Sequence, residues 1–315
     1  MNKKKLGTTN IYISPICFGG NVFGWTIDEA QSFKILDAVA DSGINFIDTA
    51  DVYSRWAHGG EGGQSETIIG KWLKQSGKRD SIVIATKVGK EMGPGKKGLS
   101  KAYITKAVED SLKRLQTDYI DLYQSHDDDK DTPLLESLET FSDLIKQGKV
   151  RAIGASNYNG ARLKEALQVS KDNNLAAYQT LQPLYNLYDR ESFETDLQAV
   201  CLENNIAVIN FYALASGFLT GKYRTEADLA TSKRASNKKY LNDRGLKILK
   251  GLDEVAAQYN ANPAQVSIAW LLAQPAIAAP IASATTVEQL KDLVKGAELQ
   301  LDAAAIGILN SASRY

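Results

Sequence analysis

The sequence has few of the residues that build disulfide frameworks or metal centres. It contains two cysteines, Cys17 and Cys201, and two histidines among 315 residues. The cysteines lie in apolar contexts without C-x-x-C spacing, so we expect no disulfide framework and a cytoplasmic location. A metal-dependent lyase or isomerase would need a ligand cluster that two histidines and the available carboxylates do not supply. No metal is therefore predicted.

The sequence also has no excess of either charge and no long apolar run. Its 37 Lys and Arg balance 37 Asp and Glu, so neither nucleic acid nor an anionic membrane is an expected partner. No apolar run approaches the roughly 18 residues that a membrane span requires. The three lysines near the N-terminus precede no apolar segment, so we expect no signal peptide. A small molecule is the expected partner, and a monomer or weak homo-oligomer the expected state.

What the sequence does contain is a regular alternation of strand and helix patterns, which follows a predicted hairpin over residues 3–13. The predicted strands cover residues 16–20, 44–48, 81–88, 119–126, 150–156, 177–182, 206–213 and 276–282. The predicted helices cover residues 28–42, 65–75, 101–115, 133–147, 160–173, 192–205, 243–258, 263–273, 286–296 and 302–313.

Eight strand–helix units predict an α/β fold, a closed (β/α)8 TIM barrel with an N-terminal β-hairpin and extra C-terminal helices. The first strand is not followed by G-x-G-x-x-G, which argues against an open dinucleotide-binding sheet. A polar loop is predicted over residues 218–241. Because no linker-like change in composition occurs, we expect residues 1–315 to form a single domain.

In a barrel of this kind the active site lies at the carboxyl ends of the strands. Asp48 ends the strand in FIDTADVY, and Tyr53 lies in the loop beyond it. Lys87 ends the next strand, and His126 the one after. We expect Lys87 to pair with Asp48, because a carboxylate at the edge of a core is costly without a partner.

These four side chains favour proton transfer to a carbonyl oxygen. The lysine should lower the pKa of the Tyr53 phenol, Asp48 should keep the lysine charged, and His126 should donate a hydrogen bond to the growing negative charge. None of the four is a hydride donor, so a cofactor must supply the hydride. A purely structural Asp48–Lys87 ion pair is the alternative.

The chain resembles the bacterial-type aldo-keto reductases along nearly its whole length. The resemblance lies in GINFIDTADVY, IVIATKVG, DYIDLYQSHD, GKVRAIGASN, LQPLYNLYDR and GFLTGKY, in this order. It implies an NAD(P)H-dependent oxidoreductase that reduces aldehydes or ketones to alcohols reversibly, with Asp48, Tyr53, Lys87 and His126 as the catalytic tetrad. The implied cofactor-binding residues are Ser156, Asn157, Gln182, Phe211, Leu214, Gly217, Leu219, Gly221, Lys222, Ser283, Thr285 and Gln289.

The cofactor and substrate preferences are less sharply marked in the sequence. NADPH is the predicted cofactor and NADH the alternative, because IASATTVEQL carries hydroxyl groups where the family often has a basic residue for the 2′-phosphate. Trp56 and Phe23 are the predicted substrate-pocket residues. Two other functions stay open: a sugar or alcohol dehydrogenase that works in the oxidative direction, and a non-catalytic, cofactor-sensing barrel subunit.

Three further segments have competing interpretations. HDDDKD, from His126, suggests a calcium loop, but Thr132 and Leu138 replace the glycine and the glutamate that such a loop needs, so a solvated loop is predicted. The glycines at 59–63 predict a flexible lid, with His58 at the rim of the pocket. Trp72 and Trp270 lie within helical patterns and are predicted to be core residues.

Overall fold

The structure, a computed structural model, describes residues 1–57, 60–229 and 235–315. His58, one residue of the predicted lid and part of the predicted polar loop lie outside these ranges. Two strands form an antiparallel hairpin and eight form a parallel sheet. The strands are β1 Lys4–Lys5, β2 Tyr12–Ile13, β3 Cys17–Gly19, β4 Phe46–Asp48, β5 Val83–Val88, β6 Ile120–Ser125, β7 Val150–Ser156, β8 Thr180–Gln182, β9 Ala207–Val208 and β10 Ile281–Ala282.

Helices follow the strands as the sequence pattern predicts. They are α1 Glu29–Asp41, α2 Gln64–Ser76, α3 Lys101–Leu115, α4 Leu134–Lys146, α5 Gly160–Asp172, α6 Gln198–Glu203, α7 Glu226–Leu229, α8 Asp243–Gln258, α9 Pro263–Leu272, α10 Val287–Glu298 and α11 Ala303–Ala312. Side chains cap several of these helices. Asn262 begins α9 with a capping box to Gln265, and Thr286 caps the first turn of α10.

The parallel sheet closes into a barrel. Its strand order is β10-β3-β4-β5-β6-β7-β8-β9, so the two ends of the order must meet for closure. Val208 of β9 pairs with Ile277, and Ile281 N donates to Asn210 O at 2.9 Å. These bonds join the last strands, and the predicted (β/α)8 barrel with its N-terminal hairpin is confirmed.

The period of two along each strand divides the core into two layers. Phe46, Ala85, Leu122 and Ala152 belong to one cluster of buried apolar residues. Tyr123 and Ile153 belong to a second cluster, together with the apolar faces of the helices. The first cluster therefore fills the barrel interior, and the second lies between strands and helices. Trp72 and Trp270 are buried in the second cluster, as predicted.

The structure differs from the predicted elements in several places. β8, β9 and β10 are shorter than the strands predicted over residues 177–182, 206–213 and 276–282. Residues 192–205 form a π-helical turn at Phe193–Leu197 before α6. The predicted polar loop contains helical turns at Ala215–Thr220 and Ala235–Tyr240 besides α7. Within the described residues, no helix combines the length and the apolar character that crossing a membrane requires.

Candidate active site

Asp48, Lys87 and Tyr53 form a hydrogen-bonded group at the carboxyl ends of β4 and β5. Lys87 Nζ donates to Asp48 Oδ2 at 2.6 Å, to Thr49 O at 2.8 Å and to Tyr53 Oη at 2.9 Å. All three ammonium protons therefore have acceptors, although Lys87 is fully buried. Tyr53 Oη in turn donates to Asp48 Oδ2 at 3.3 Å. The predicted pairing of Asp48 with Lys87 is present.

The protonation of Tyr53 differs from the sequence-based expectation. Burial, followed by the charge of Asp48, raises the pKa of Tyr53 well above its ordinary value. Burial lowers the pKa of Lys87, and Asp48 opposes that shift. The net shift is therefore upward, opposite to the lowering expected from the lysine alone, because the phenol is buried and shares its enclosed site with a carboxylate. The phenol stays protonated at neutral pH and can donate its proton.

His126 lies beside Tyr53, with 6.1 Å between the ring centroids. Burial, followed by the charges of Lys87 and Lys90, lowers the pKa of His126 well below its ordinary value. The imidazole is therefore neutral near pH 7 and keeps one N–H donor. Its Nδ1 is buried and has no hydrogen-bond partner among the described residues.

A long cleft opens above these side chains, with a volume of about 1160 Å³. Its lining contains most of the residues predicted from the sequence, namely Asp48, Tyr53, Trp56, His126, Ser156, Asn157, Gln182, Phe211, Leu214, Gly217, Lys222, Ser283, Thr285 and Gln289. Leu219 and Gly221 do not belong to this lining. Leu219 is buried in the core, and Gly221 ends a helical turn close to Arg224 and Pro263.

One end of the cleft is formed by the ends of β7 and β8. Ser156 Oγ donates to Gln182 O at 2.9 Å, and Asn157 Nδ2 donates to His126 O at 2.9 Å. Asn157 has a φ of 58°, which turns its side chain back toward His126. These bonds fix the amide-bearing residues next to the tetrad, and Phe211 lines the cleft beside them.

The middle of the cleft is suited to a pyrophosphate group. Three consecutive residues, Ala215, Ser216 and Gly217, have φ values of 47°, 58° and 94°. Strained left-handed backbone of this kind is concentrated at functional sites. Lys222 lines the same stretch and has no carboxylate partner among the described residues, so its charge is available to an anion. These features fit a nicotinamide dinucleotide.

The far end of the cleft lies at the N-terminus of α10. Thr285 N and Thr285 Oγ1 both donate to Gln289 Oε1, at 2.8 and 3.1 Å. Ser283 Oγ donates to Asn21 Oδ1 at 2.6 Å. The hydroxyl groups predicted to receive a phosphate thus already have partners within the chain. Asp292 also lines this end and adds a negative charge.

Aromatic side chains form the opposite wall, next to Tyr53. Trp56 is half-exposed, with its ring 5.9 Å from Tyr53 and 5.6 Å from Trp25. Phe23 was also predicted for the substrate pocket, but it is fully buried and stacks on Phe18 in the core. Trp25, two residues later, lines the cleft instead. The turn at Gly20–Val22 and the bend after it explain why the later aromatic reaches the cleft.

The HDDDKD segment is held by intrachain contacts. Asp127 pairs with Lys90 at 3.0 Å, and Asp128 pairs with Arg162 at 2.8 Å. Asp129 accepts bonds from Leu99 N and Thr132 Oγ1. The described residues contain no group of three or more His, Cys, Asp or Glu side chains placed to hold a metal. The acidic run therefore orders the loop beside His126.

The described glycines of the predicted lid have a packing reason. Gly62 and Gly63 have φ values of 86° and 81°. A Cβ at Gly62 would lie 2.6 Å from Met92 Cε, and one at Gly63 would lie 2.5 Å from Arg114 Cδ. Close contact and left-handed backbone thus require glycine at both positions.

Asp51 is a second buried carboxylate, three residues from Asp48. Among the described residues, neither of its carboxylate oxygens has a well-formed hydrogen bond, and the nearby Val52 backbone N–H only partly opposes the effect of burial on its pKa. Burial, followed by the nearby charge of Glu66, raises the pKa of Asp51 to about 8, and Arg114 opposes the shift. Arg114 donates to Glu66 at 2.6 Å, so the guanidinium is already engaged. Asp51 is therefore mostly protonated at neutral pH.

Sequence analysis missed Gln124, which the structure places directly beneath the tetrad. Gln124 Nε2 donates to Asp48 Oδ1 at 3.3 Å, and Gln182 Nε2 donates to the same oxygen at 2.9 Å. The signal was available, because Gln124 lies two residues before His126 and therefore on the same face of β6.

A family model confirms the relationship that this geometry indicates. The model of the Aldo/keto reductase family matches residues 15–314. The chain belongs to the aldo/keto reductase family. The chain is therefore an aldo/keto reductase family oxidoreductase, and the match includes the eight parallel strands whose carboxyl ends surround the cleft.

The names of individual aldo/keto reductase relatives indicate different functions. The chain is 37% identical to "Uncharacterized oxidoreductase YrpG" of Bacillus subtilis, over 97% of this chain and 94% of the relative. It is 31% identical to "Aldo-keto reductase yakc [NADP(+)]" of Schizosaccharomyces pombe, over 92% and 84%. It is 32% identical to "Probable voltage-gated potassium channel subunit beta" of Arabidopsis thaliana, over 95% and 92%.

Proposed function

We propose that this protein reduces aldehyde or ketone carbonyls to alcohols with a nicotinamide cofactor, and that it catalyses the reverse oxidation with the same groups. One observation carries the proposal. The Tyr53 hydroxyl lies 2.9 Å from Lys87 Nζ, which lies 2.6 Å from Asp48, beside a neutral His126 at the floor of the cleft. A protonated phenol, a fixed ammonium and an imidazole donor suit a carbonyl oxygen that becomes an alkoxide.

Each side chain has a separate role in the proposed reaction. Tyr53 donates its proton to the carbonyl oxygen. Lys87 stabilises the phenolate that remains, and Asp48 keeps Lys87 charged and oriented. His126 donates its N–H to the same carbonyl oxygen and aligns the substrate. The cofactor supplies the hydride when it is bound, and Ser156, Asn157 and Gln182 orient its carboxamide.

The proposed function favours an enzyme over a cofactor-sensing subunit. The Arabidopsis relative is named as a probable potassium channel subunit and not as an enzyme, so a non-catalytic role is a genuine alternative. A sensing subunit needs only the cofactor contacts, whereas this chain also has the full proton-donating group in hydrogen-bonded order. Oxidation of the alcohol needs the same residues as reduction of the carbonyl. The geometry of the site therefore does not distinguish the two directions, and kinetic measurements must do so.

A panel of aldehydes, ketones and sugars, assayed by the loss of NADPH absorbance, tests the proposal. The matched variant is Tyr53→Phe, which removes one hydroxyl and keeps the ring packed on Trp56. We expect turnover to fall by about 10²–10⁴-fold with little change in cofactor affinity. Turnover close to that of the wild type would remove Tyr53 from the mechanism, and no turnover by the wild type on any substrate would favour the sensing role. Parallel assays with the product alcohols and NADP⁺ establish the preferred direction.

For the cofactor, we propose NADPH with a modest preference over NADH. The N-terminus of α10, with the Thr286 hydroxyl, supports binding of a 2′-phosphate. Asp292 and the lack of a basic side chain beside Thr285 in the cleft lining limit the preference. We expect a ratio on the order of ten- to hundredfold in affinity. Quenching of intrinsic tryptophan fluorescence, with Trp25 and Trp56 at the cleft, measures both constants, and equal affinities would contradict the proposal.

A further inference from the structure

The side chain of Gln124 completes a polar layer inside the barrel. The β5–β6 register sets Lys87 opposite Gln124, and the β6–β7 register sets Gln124 opposite Gly154. All three positions lie one step beyond the apolar interior residues Ala85, Leu122 and Ala152. Gln124 therefore faces the barrel axis at the level of the tetrad, and it is fully buried.

Gly154 keeps the space that Gln124 occupies. A Cβ at Gly154 would lie 3.2 Å from Gln124 Cγ and would clash with Thr180 Oγ1. The φ of Gly154 is not in the left-handed region, so backbone conformation does not require glycine there. Lack of space is the physical reason: Thr180 Oγ1 excludes a Cβ at Gly154, and Gln124 Cγ is the next nearest atom.

The two oxygens of Asp48 have different partners. Oδ2 accepts bonds from Lys87 and Tyr53, the groups that handle the proton. Oδ1 accepts bonds from the carboxamides of Gln182 and Gln124, at 2.9 and 3.3 Å. A third bond joins the amides to each other, with Gln182 Nε2 donating to Gln124 Oε1 at 3.3 Å. Asp48 Oδ1 and the two amides thus form a closed triangle.

This triangle fixes which way the Gln182 amide points. An ionised carboxylate only accepts hydrogen bonds, so Gln182 must turn its NH₂ toward Asp48, and Gln124 Oε1 offers a second acceptor on the same side. Gln182 Oε1 is then the atom left to face the cleft, which Gln182 lines. An exposed amide oxygen suits the NH₂ of a nicotinamide carboxamide.

We propose that Gln124 is a positioning residue that couples docking of the cofactor carboxamide to the proton-donating group. It acts through Gln182 and Asp48 and touches neither cofactor nor substrate. A bond accepted by Gln182 Oε1 polarises the amide and strengthens its donation to Asp48 Oδ1. Gln124 holds the amide in the orientation that makes this possible. The inference rests on the proposed function in one respect, that the cofactor carboxamide binds at Gln182.

A binding cycle tests the coupling without requiring turnover. NADP⁺ is compared with its 3-acetylpyridine analogue, which keeps the ring carbonyl but lacks the NH₂. Affinities are measured by tryptophan fluorescence for the wild type and Gln124→Met, a variant of similar shape that has no amide. For each protein the measured quantity is the ratio of its affinity for NADP⁺ to its affinity for the analogue. We expect this ratio to be on the order of three- to tenfold larger in the wild type than in Gln124→Met, because only the wild type holds the Gln182 acceptor in place.

Ser125→Ala is the matched control. Ser125 is the next residue on β6 and is buried, but it faces outward and bonds the Tyr178 hydroxyl at 2.8 Å. This variant should show the same ratio of affinities as the wild type. Equal affinity ratios in the wild type and Gln124→Met would overturn the inference. A ratio in Ser125→Ala that is reduced as in Gln124→Met would also overturn it, because the effect would then come from general loosening of the strand.

The pH dependence of turnover gives a second readout. Loss of a donor to Asp48 Oδ1 leaves more negative charge on Oδ2, which raises the pKa of Tyr53 further. In Gln124→Met the alkaline limb of the reduction rate should move to higher pH, and kcat should fall roughly tenfold. Superimposable pH profiles would count against the inference. If the wild type reduces no carbonyl compound, the proposed function fails, while the binding cycle still decides the role of Gln124.

Discussion

At the scale of single residues, Asp51 occupies a site that disfavours its charged form. Its carboxyl group is buried without a well-formed hydrogen bond among the described residues, and its pKa is raised to about 8. The charged groups around it are Glu66 on α2, Arg114 on α3 and Lys87 on β5. The Tyr103 and Tyr123 phenols also face it, and the charge of Asp51 raises the pKa of both, after burial. A neutral carboxyl group is the form that this site tolerates.

The raised pKa of Asp51 predicts how stability depends on pH. Between the unfolded value near 3.8 and about 8 the folded protein binds more protons than the unfolded chain, so this group lowers stability as the pH rises through that window. Asp51→Asn removes the titration. We expect the stability of the variant relative to the wild type to increase by roughly 2–4 kcal/mol between pH 5 and pH 8.

Urea unfolding at several pH values measures this difference. Asp41→Asn is the control, because the Asp41 side chain is 74% exposed and pairs with Lys78 at the surface. Its effect should be small and almost independent of pH. A constant difference between Asp51→Asn and the wild type over this range would mean that Asp51 is ionised in the folded protein.

Thr285 carries the second residue-scale prediction. Its backbone N–H and hydroxyl both bond Gln289, at the end of the cleft where Asp292 is the charged group. Thr285→Arg places a guanidinium beside the N-terminus of α10, where it can hold a phosphate through two hydrogen bonds. We expect the ratio of NADPH to NADH affinity to increase by about tenfold. Fluorescence titration of both cofactors measures this ratio. A ratio equal to that of the wild type would mean that the 2′-phosphate binds elsewhere.

At the scale of elements, glycines set how closely helices approach. Gly70 of α2 packs against the end of α3, where a Cβ would clash with the Arg114 and Leu115 backbone. Gly307 of α11 is exposed, and a Cβ there would meet nothing within 4 Å. The two helical glycines therefore provide a matched pair, one required by packing and one not.

The matched pair predicts opposite effects of the same substitution. Gly70→Ala should destabilise the protein by roughly 1–3 kcal/mol, because backbone cannot move aside as a flexible side chain can. Gly307→Ala should stabilise it by about 0.5–1 kcal/mol through helix propensity. Chemical unfolding measures both. A stable Gly70→Ala variant would mean that α2 shifts on the barrel at little cost.

At the scale of the whole molecule, the cleft connects parts of the chain that are far apart in sequence. Its walls come from Gly19 after the hairpin, from Lys222 in the middle and from Gln289 on α10. A ligand that fills it contacts both sides of the seam where β9 and β10 close the barrel. Cofactor binding is therefore linked to the stability of the barrel as a unit.

This linkage predicts a thermal shift. At a concentration one hundred times Kd, NADPH should stabilise the folded protein by about 2.7 kcal/mol and raise Tm by about 5 °C. We also propose that residues 1–315 unfold as one domain, in one transition by circular dichroism. Lys222→Met should keep the fold and lose most of the shift. A Tm shift in Lys222→Met equal to that of the wild type would show that Lys222 does not bind the cofactor. Two unfolding transitions in the circular dichroism signal would contradict a single domain.

Local sequence patterns were sufficient to predict the order of the elements and the cluster of polar side chains at one rim of the barrel. The apolar periods of α3 and β7 predict their observed bounds, because each presents an uninterrupted buried face. Asp48, Lys87 and His126 were found because the carboxyl ends of parallel strands must share one rim. Local pattern and barrel topology were sufficient for these conclusions.

Contacts that depend on packing across strands could not be predicted from the sequence. The aromatic wall needed Trp25 and not Phe23, because the bend after Val22 sets which ring reaches the cleft. The pKa of Tyr53 rises, because the phenol is buried and shares its site with the carboxylate of Asp48. Gln124 was found through its bond to Asp48 Oδ1, 76 residues away in sequence. Closure of the barrel brings such distant residues together, and no local pattern encodes the distance between them.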